Sequence, residues 1–393
     1  MSQSSFFNRY RRETEAWEDV EESETPECYF DCDEDNGDAE GSNFDSLLVF
    51  GDSLSEVGNV FIRTQGTIPP SPPYFEGRFS NGEVLVERLG EVLELDASTP
   101  GLAGGTNFAF GGARTGFGLS DRLTPNVGEQ INLYLSENSP DETDLVFLYA
   151  GGNNFLQSPT PLDPAIVVED IAIHIGTLAA AGAETFIVPN SGDVGATPFV
   201  RSIGRTEEIT ESIDNFNALL DIRLDELEET LNVEIIEVDI AEIFGEILDD
   251  PLSFGFVNST DPALNQETLE LVENPNRYVF WDNVHPTEAV TDILLEEVLD
   301  DLGELVSVDG EGESPDNWND EGEDEGERDS LTGESIVADE EVPVFAEMED
   351  IIEIFNTTPP IPSVSSPETI EVSLVTDFIA EVSETSFEEI FSL

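Results

Sequence analysis

Lysine is missing from this chain: all thirteen basic residues are arginine, set against 88 aspartates and glutamates, for a formal net charge of −75. That shortage excludes nucleic acid as a partner, because phosphate backbones are held by clustered Lys and Arg. It also argues against docking on anionic lipid surfaces. Cysteine is nearly absent too, with only Cys28 and Cys32 present. Four apart in an acidic segment, with no histidine nearby, they fall short of the four ligands a zinc site needs. They read as two solvated thiols or one local disulfide, and disulfides do not hold the core. No run approaches the roughly 18 apolar residues of a membrane span. Arg9, Arg11 and Arg12 are followed by no apolar stretch, so a Sec signal peptide is not expected.

The carboxylates repel one another at low ionic strength, and salt screens that repulsion by shortening the Debye length to about 3 Å at 1 M. The composition therefore suits a saline setting, either a seawater-like exterior or a salt-accumulating cytoplasm.

Three zones separate by composition. Residues 1–44 hold 14 acids and 3 Arg with few aliphatic residues, which predicts a disordered arm. Residues 45–306 carry 48 acids and 9 Arg around strongly periodic apolar segments. Residues 307–393 carry 26 acids and 1 Arg. They open on an acidic, Gly-rich linker, Asp309–Asp329, and continue into two weakly apolar patches, Val342–Phe355 and Thr369–Leu393. The end, Glu388-Glu389-Ile390-Phe391-Ser392-Leu393, is similar to signals of one-step bacterial secretion, which points to an extracellular protein. A plain acidic tail is the alternative.

Strands and helices alternate in the middle zone. Ser46–Phe50, Asp144–Ala150, Glu184–Pro189 and Val233–Asp239 predict short buried strands. Pro164–Ala181, Arg205–Leu231 and Thr287–Leu305 predict helices, the last begun by Pro286. Continuous apolar strands between helices imply a parallel sheet covered on both faces. In such sheets a site lies beyond the carboxyl ends of the strands.

Histidine is scarce, with only His174 and His285 to serve as a base near neutral pH. His174, in Ile171-Ala172-Ile173-His174-Ile175, reads as a packed helix residue. His285 follows Asp282 by three at a strand-to-helix turn, a spacing that lets the carboxylate reach the imidazole Nδ1 and fix its tautomer. Trp281 beside them is positioned to wall the site. Taken alone, the segment is equally a helix entry with Pro at N1. Phe50-Gly51-Asp52-Ser53-Leu54 follows the first strand and exposes Ser53 as a nucleophile candidate, or else as a helix cap. No Gly-x-Ser-x-Gly elbow occurs, so the ordinary α/β-hydrolase mark is missing. Two turns, Thr106-Asn107-Phe108-Ala109-Phe110-Gly111-Gly112-Ala113 and Gly151-Gly152-Asn153-Asn154, offer oxyanion donors or are simply tight turns.

Read in order, Gly-Asp-Ser-Leu, Asn-Phe-Ala-x-Gly-Gly-Ala, Gly-Gly-Asn and Asp-x-x-His resemble the blocks of the SGNH/GDSL hydrolase family, nearest its long-block branch of plant and bacterial GDSL lipases. Tyr74-Phe75-Glu76-Gly77-Arg78-Phe79-Ser80-Asn81-Gly82, Pro189-Asn190-Ser191-Gly192-Asp193-Val194-Gly195 and Phe254-Gly255-Phe256-Val257-Asn258 agree with it. The resemblance covers residues 45–306. It implies a three-layer α/β/α fold with a mostly parallel, five-stranded, flavodoxin-like sheet. It implies Ser53 as nucleophile, completed by Asp282 and His285, with the Ser53 and Gly111 N–H groups and the Asn153 amide as oxyanion donors. No metal or organic cofactor is implied, and the substrate is a small-molecule or lipid acyl ester. Asn154 stands where the family often has Asp, and Phe110 where a small residue is common, which predicts a narrower acyl side. A carbohydrate O-deacetylase on the same fold is the second reading. The third is a non-catalytic acidic protein that binds calcium or adheres. Against it, Asp31–Asp38 lacks the EF-hand glycine at position six and the later glutamate.

The charge surplus carries one prediction. A salt titration is expected to raise both melting temperature and activity from dilute buffer into molar salt; full stability in dilute buffer would contradict the saline reading.

Overall fold

The computed structural model describes residues 44–120 and 122–303. Cys28 and Cys32, the acidic arm up to residue 43, the linker and the C-terminal patches lie outside the described residues.

Four short strands build the central sheet: β1 (Ser46–Gly51), β2 (Asp144–Tyr149), β3 (Thr185–Pro189) and β4 (Glu234–Val238). They pair in parallel in the order β1-β2-β3-β4. Register sets Gly51 opposite Tyr149 and Pro189 opposite Val238, which aligns the carboxyl ends along one edge.

The alternation of side chains explains why these segments read as unbroken apolar runs. Leu47 and Val49 of β1 with Leu145, Phe147 and Tyr149 of β2 pack on one face, against α1 (Leu85–Leu93) and two helices introduced below. Leu48 and Phe50 with Val146 and Leu148 point to the other face, against α2 (Val127–Leu135), α3 (Pro164–Ala181) and α4 (Thr206–Leu231). The first face is completed by α5 (Ile240–Asp249) and α6 (Glu288–Leu302). Both faces of β1, β2 and β3 are buried, so their strand residues gain from burial, at about 1.5–3 kcal/mol for a large aliphatic side chain, while the edge strand β4 leaves Glu234 exposed and Glu237 half-buried. This is the expected three-layer α/β/α architecture.

The sheet has four strands rather than five, because its fifth position is filled irregularly. Beside β1, Val49 N–H donates to Thr106 O at 3.1 Å and Phe108 N–H donates to Val49 O at 2.8 Å, a parallel bridge centred on Asn107. The pairing with β1 stays a single bridge, and the Asn107 peptide groups face away from β1, toward a second bridge at Pro100. There Gly101 N–H donates to Asn107 O at 2.6 Å, and the Asn107 amide reaches the Ser55 carbonyl at 2.8 Å.

Two expectations change in detail. The last helix begins at Glu288 with Thr287 as its N-cap, so Pro286 precedes the cap instead of occupying the first turn. The helix α3 is, by length and composition, apolar enough to cross a membrane. Its sequence is apolar because Val167, Val168, Ile171, Ile175 and Leu178 are buried in the layer shared with α4. His174 lies on this helix with 1% exposure, and its Nε2 is 2.6 Å from the Thr115 carbonyl. It is a packed residue, as its apolar neighbours indicated.

A second, two-stranded parallel sheet joins β5 (Asn258–Pro262) to β6 (Tyr278–Phe280). Leu264 N–H donates to Trp281 O at 2.7 Å, so the chain is held firmly up to Asp282.

At the end of β1 the backbones of β1 and β2 approach closely. A Cβ on Gly51 would lie 2.3 Å from the Tyr149 carbonyl oxygen. Gly51→Ala is therefore expected to lower stability by about 1–3 kcal/mol, read as a shift in the urea midpoint.

Candidate active site

The turn after β1 is braced from α2. The buried Gln130 side chain accepts the Gly51 N–H at 3.0 Å and donates to the Gly51 carbonyl at 2.8 Å. Phe110 N–H donates to the same carbonyl at 3.2 Å. Two residues on, Ser53 Oγ lies 2.9 Å from His285 Nε2. The His285 Nδ1 sits 2.9 and 2.8 Å from the two Asp282 oxygens. Between two carboxylate oxygens Nδ1 carries the proton, so Nε2 is the lone-pair nitrogen and accepts the Ser53 hydroxyl.

Asp282 is 1% exposed and fully provided with donors. Its Oδ1 accepts the Val284 and His285 backbone N–H groups, both at 2.8 Å. Its Oδ2 accepts the Tyr74 hydroxyl at 2.7 Å and the Gln266 amide at 3.3 Å. Burial pushes this carboxyl up, but the His285 charge and the hydrogen bonds from His285 and Tyr74 outweigh it, and the group ends below the usual carboxylate range. Burial, reinforced by the Asp282 charge, pushes the Tyr74 hydroxyl far up, so it remains a donor.

The segment from Tyr74 to Gly82 clamps the histidine loop. Ser80 Oγ donates to the Pro286 carbonyl at 3.0 Å, and the Asn81 side chain accepts the Glu288 N–H at 2.9 Å. Arg78 is fixed by a nearly buried ion pair to Glu87 at 2.5 Å. The Phe79 ring lies 5.2 Å from the His285 ring.

Ser53, Asn153 and His285 line one cavity, whose apolar walls include Leu54, Leu85, Phe244, Phe280 and Leu294. Gly111 is not on that wall. Its Cα side abuts Phe79, which is on the wall: a Cβ on Gly111 would meet Phe79 Cε2 at 2.4 Å. Among the described residues neither the Ser53 nor the Gly111 N–H has a hydrogen-bond acceptor. The Asn153 amide donates to Asp52 Oδ2 at 3.0 Å, which leaves its second N–H free. Gln157 holds the other end of that amide by donating to Asn153 Oδ1 at 3.0 Å.

Other readings of the sequence shift. Trp281 does not wall the cavity; it packs edge-on behind Tyr74, with ring centroids 5.8 Å apart. Phe110 is buried away from the cavity lining and does not narrow it. Asn154 has a structural partner: its amide spans Thr115, accepting the N–H at 3.0 Å and donating to Oγ1 at 2.9 Å. Sequence reasoning quoted Tyr74 and Phe79 without a role and missed Gln130 and Gln266. Nothing in the local sequence marks the two glutamines, whose partners lie 79 and 16 residues away. Among the described residues no group of three or more His, Cys, Asp or Glu is arranged to hold a metal ion.

A serine, a histidine in a fixed tautomer and a buried aspartate in one hydrogen-bonded line have the geometry of serine-hydrolase sites. The profile of the GDSL-like Lipase/Acylhydrolase family matches residues 47–298, and the chain belongs to that family. It is 29% identical over 294 residues to a phosphatidylcholine-sterol acyltransferase of Aeromonas hydrophila, a match covering 63% of this chain and 87% of that protein. It is 25% identical over 339 residues to a GDSL esterase/lipase of Arabidopsis thaliana, covering 67% of this chain and 87% of that one. A solved structure of a lipolytic G-D-S-L family protein from Veillonella parvula is similar over 65% of this chain and 96% of its own, at 16% identity and a TM-score of 0.39. The chain is accordingly a carboxylic ester hydrolase, and the non-catalytic reading is set aside.

Two carboxyls flanking Ser53 give a pH dependence. Burial pushes Asp52 up to about 6 and Glu56 up to about 7, against the hydrogen bonds that pull each down. In the unfolded chain both ionise near pH 4. Their protons are kept by the folded state and released by the unfolded state between those values. Their contribution to stability is thus full below about pH 4 and is lost as pH rises to about 7. The melting temperature is expected to be higher at pH 5 than at pH 8, and Glu56→Gln is expected to flatten that slope; a slope unchanged in the variant would refute the assignment.

Proposed function

We propose that Ser53 is the nucleophile of this ester hydrolase, with His285 as its base and Asp282 as the partner that holds His285. The observation that carries the reading is the unbroken line from Ser53 Oγ through His285 to Asp282, with contacts of 2.9 and 2.8 Å. His285 Nε2 takes the hydroxyl proton as Ser53 Oγ attacks the ester carbonyl. The tetrahedral oxyanion is received by the Ser53 and Gly111 N–H groups and the free amide hydrogen of Asn153. His285 then gives its proton to the leaving alcohol, and a water molecule repeats the cycle on the acyl-enzyme to release the acid. Asp52 works indirectly in this scheme, by holding the Asn153 amide.

The substrate we favour is a lipid or other hydrophobic acyl ester. Its support is the apolar wall beside Ser53, where Leu54, Leu85, Phe244, Phe280 and Leu294 meet, together with the match to an acyltransferase whose name specifies phosphatidylcholine. The carboxylate-rich composition fits work in a saline medium, outside the cell or in a salt-accumulating cytoplasm.

Ser53→Ala is expected to abolish both turnover of p-nitrophenyl acyl esters and labelling by a fluorophosphonate probe, with the fold retained. Asn153→Ala is expected to lower turnover by about 10²–10³, the usual effect of removing one oxyanion donor. Unchanged turnover in Ser53→Ala refutes the nucleophile. A panel of acyl chain lengths set against acetylated glycans separates the lipid reading from an O-deacetylase, which would act on the glycans alone.

A further inference from the structure

Arginines are few in this chain, and carboxylates claim several of those in the described domain. Arg78 pairs with Glu87, Arg88 with Glu83 and Glu288, Arg205 with Glu208, and Arg223 with Glu169 and Glu226. Arg122 is different. Among the described residues its guanidinium makes no hydrogen bond and no ion pair, although the residue is half-buried. Burial pushes it down from its ordinary value, and the Asp282 carboxylate acts in the opposite sense.

The loop that carries Arg122 is self-contained. Ser120 N–H donates to Thr124 O at 2.8 Å, and Leu123 N–H donates to Ser120 O at 2.9 Å. Ser120 Oγ accepts the Arg122 and Thr124 N–H groups at 3.2 and 3.3 Å and lies 2.7 Å from Thr124 Oγ1. The backbone of Arg122 is thereby fixed without using its side chain. That side chain runs over the turn next to the oxyanion donor: a Cβ on Gly112 would lie 2.9 Å from Arg122 Cδ. The stem is therefore held one residue past Gly111.

We propose that Arg122 is an anion-binding residue on the alcohol side of the site, selecting esters whose leaving alcohol carries a phosphate or carboxylate group. The inference rests on the Ser53–His285 reading above. The acyl chain has the apolar cavity, whose lining does not include Arg122. The leaving oxygen must face His285, which protonates it, and Arg122 packs beside Gly112 outside the apolar lining, with its charge acting on Asp282, the partner of that histidine. An anionic substrate approaching this site meets the carboxylates of Asp52 and Asp282 and the field of a strongly acidic protein. A fixed cation beside the oxyanion turn offsets that repulsion locally, and a guanidinium matches the paired oxygens of phosphate or carboxylate.

The test compares wild type, Arg122→Gln and Arg122→Lys on substrates sharing one acyl chain: 1-acylglycerol 3-phosphate, the neutral 1-acylglycerol, and the acyl ester of 4-hydroxybutyrate. Arg122→Gln is expected to lose about 10- to 100-fold in kcat/KM on the phosphate ester, mainly through KM, and to change less than about threefold on the neutral ester. Arg122→Lys is expected to recover part of the loss. An equal loss on the hydroxybutyrate ester assigns the site to any oxyanion, and a loss confined to the phosphate ester assigns it to phosphate. A drop of the same size on the neutral ester, or no drop on any substrate, overturns the proposal. Wild type that turns over p-nitrophenyl acyl esters but none of the three overturns the proposal for Arg122, whereas wild type inactive on the p-nitrophenyl esters as well overturns the Ser53–His285 reading.

Discussion

Asp282 is a carboxylate removed from water, and its burial is tolerable only because five donor groups converge on its two oxygens. An ionised carboxyl left unpaired at such a site would cost several kcal/mol and would take up a proton instead. Each donor brings a different part of the chain with it. Tyr74 ties in the segment that carries Phe79 and Ser80, Gln266 ties in the loop after β5, and the Val284 and His285 N–H groups curl the turn after β6 around the carboxylate. His285 is aimed at Ser53 because its other ring nitrogen has no freedom left. The Ser53–His285–Asp282 line and the local fold are thus satisfied by the same hydrogen bonds.

The sheet and its helices were legible because burial on both faces forces continuous apolar strands, and each of the four strand expectations falls within about one residue of the structure. Ser53, Asp282 and His285 were legible because histidine is scarce and the spacing of Asp282 and His285 is local. What was hidden was non-local or irregular. Gln130 and Gln266 act across distances that no sequence window spans. The fifth sheet position escapes strand patterning because that segment joins β1 through a single bridge, Val49 with Asn107. Trp281 and Phe110, large aromatics beside site residues, drew attention to the cavity, yet both serve packing behind it. Size and adjacency alone do not say which way a side chain points.

The scarcity of positive charge gives each arginine a distinct weight. Arg88 alone meets Glu83, Glu91, Glu288 and Asp292. Pairs of this exposed kind contribute little singly, but in a chain with so many carboxylates they lower repulsion between α1 and α6. Arg78 with Glu87 is nearly buried and anchors the middle of the segment that clamps the histidine loop. Arg78, Arg88 and Arg223 thus sit where helices or loops carrying carboxylates come together.

The hydrogen bond between Ser53 and His285 joins residues 232 positions apart. A contact of that span closes only after the intervening chain has been made and packed, since long loops are costly to order before other contacts hold them. During synthesis Ser53 therefore emerges early and waits without His285 while the sheet, α4 and α5 form. On the proposed reading, the hydrolase is silent as a nascent chain, and its activity arrives with the docking of α6, the last helix among the described residues.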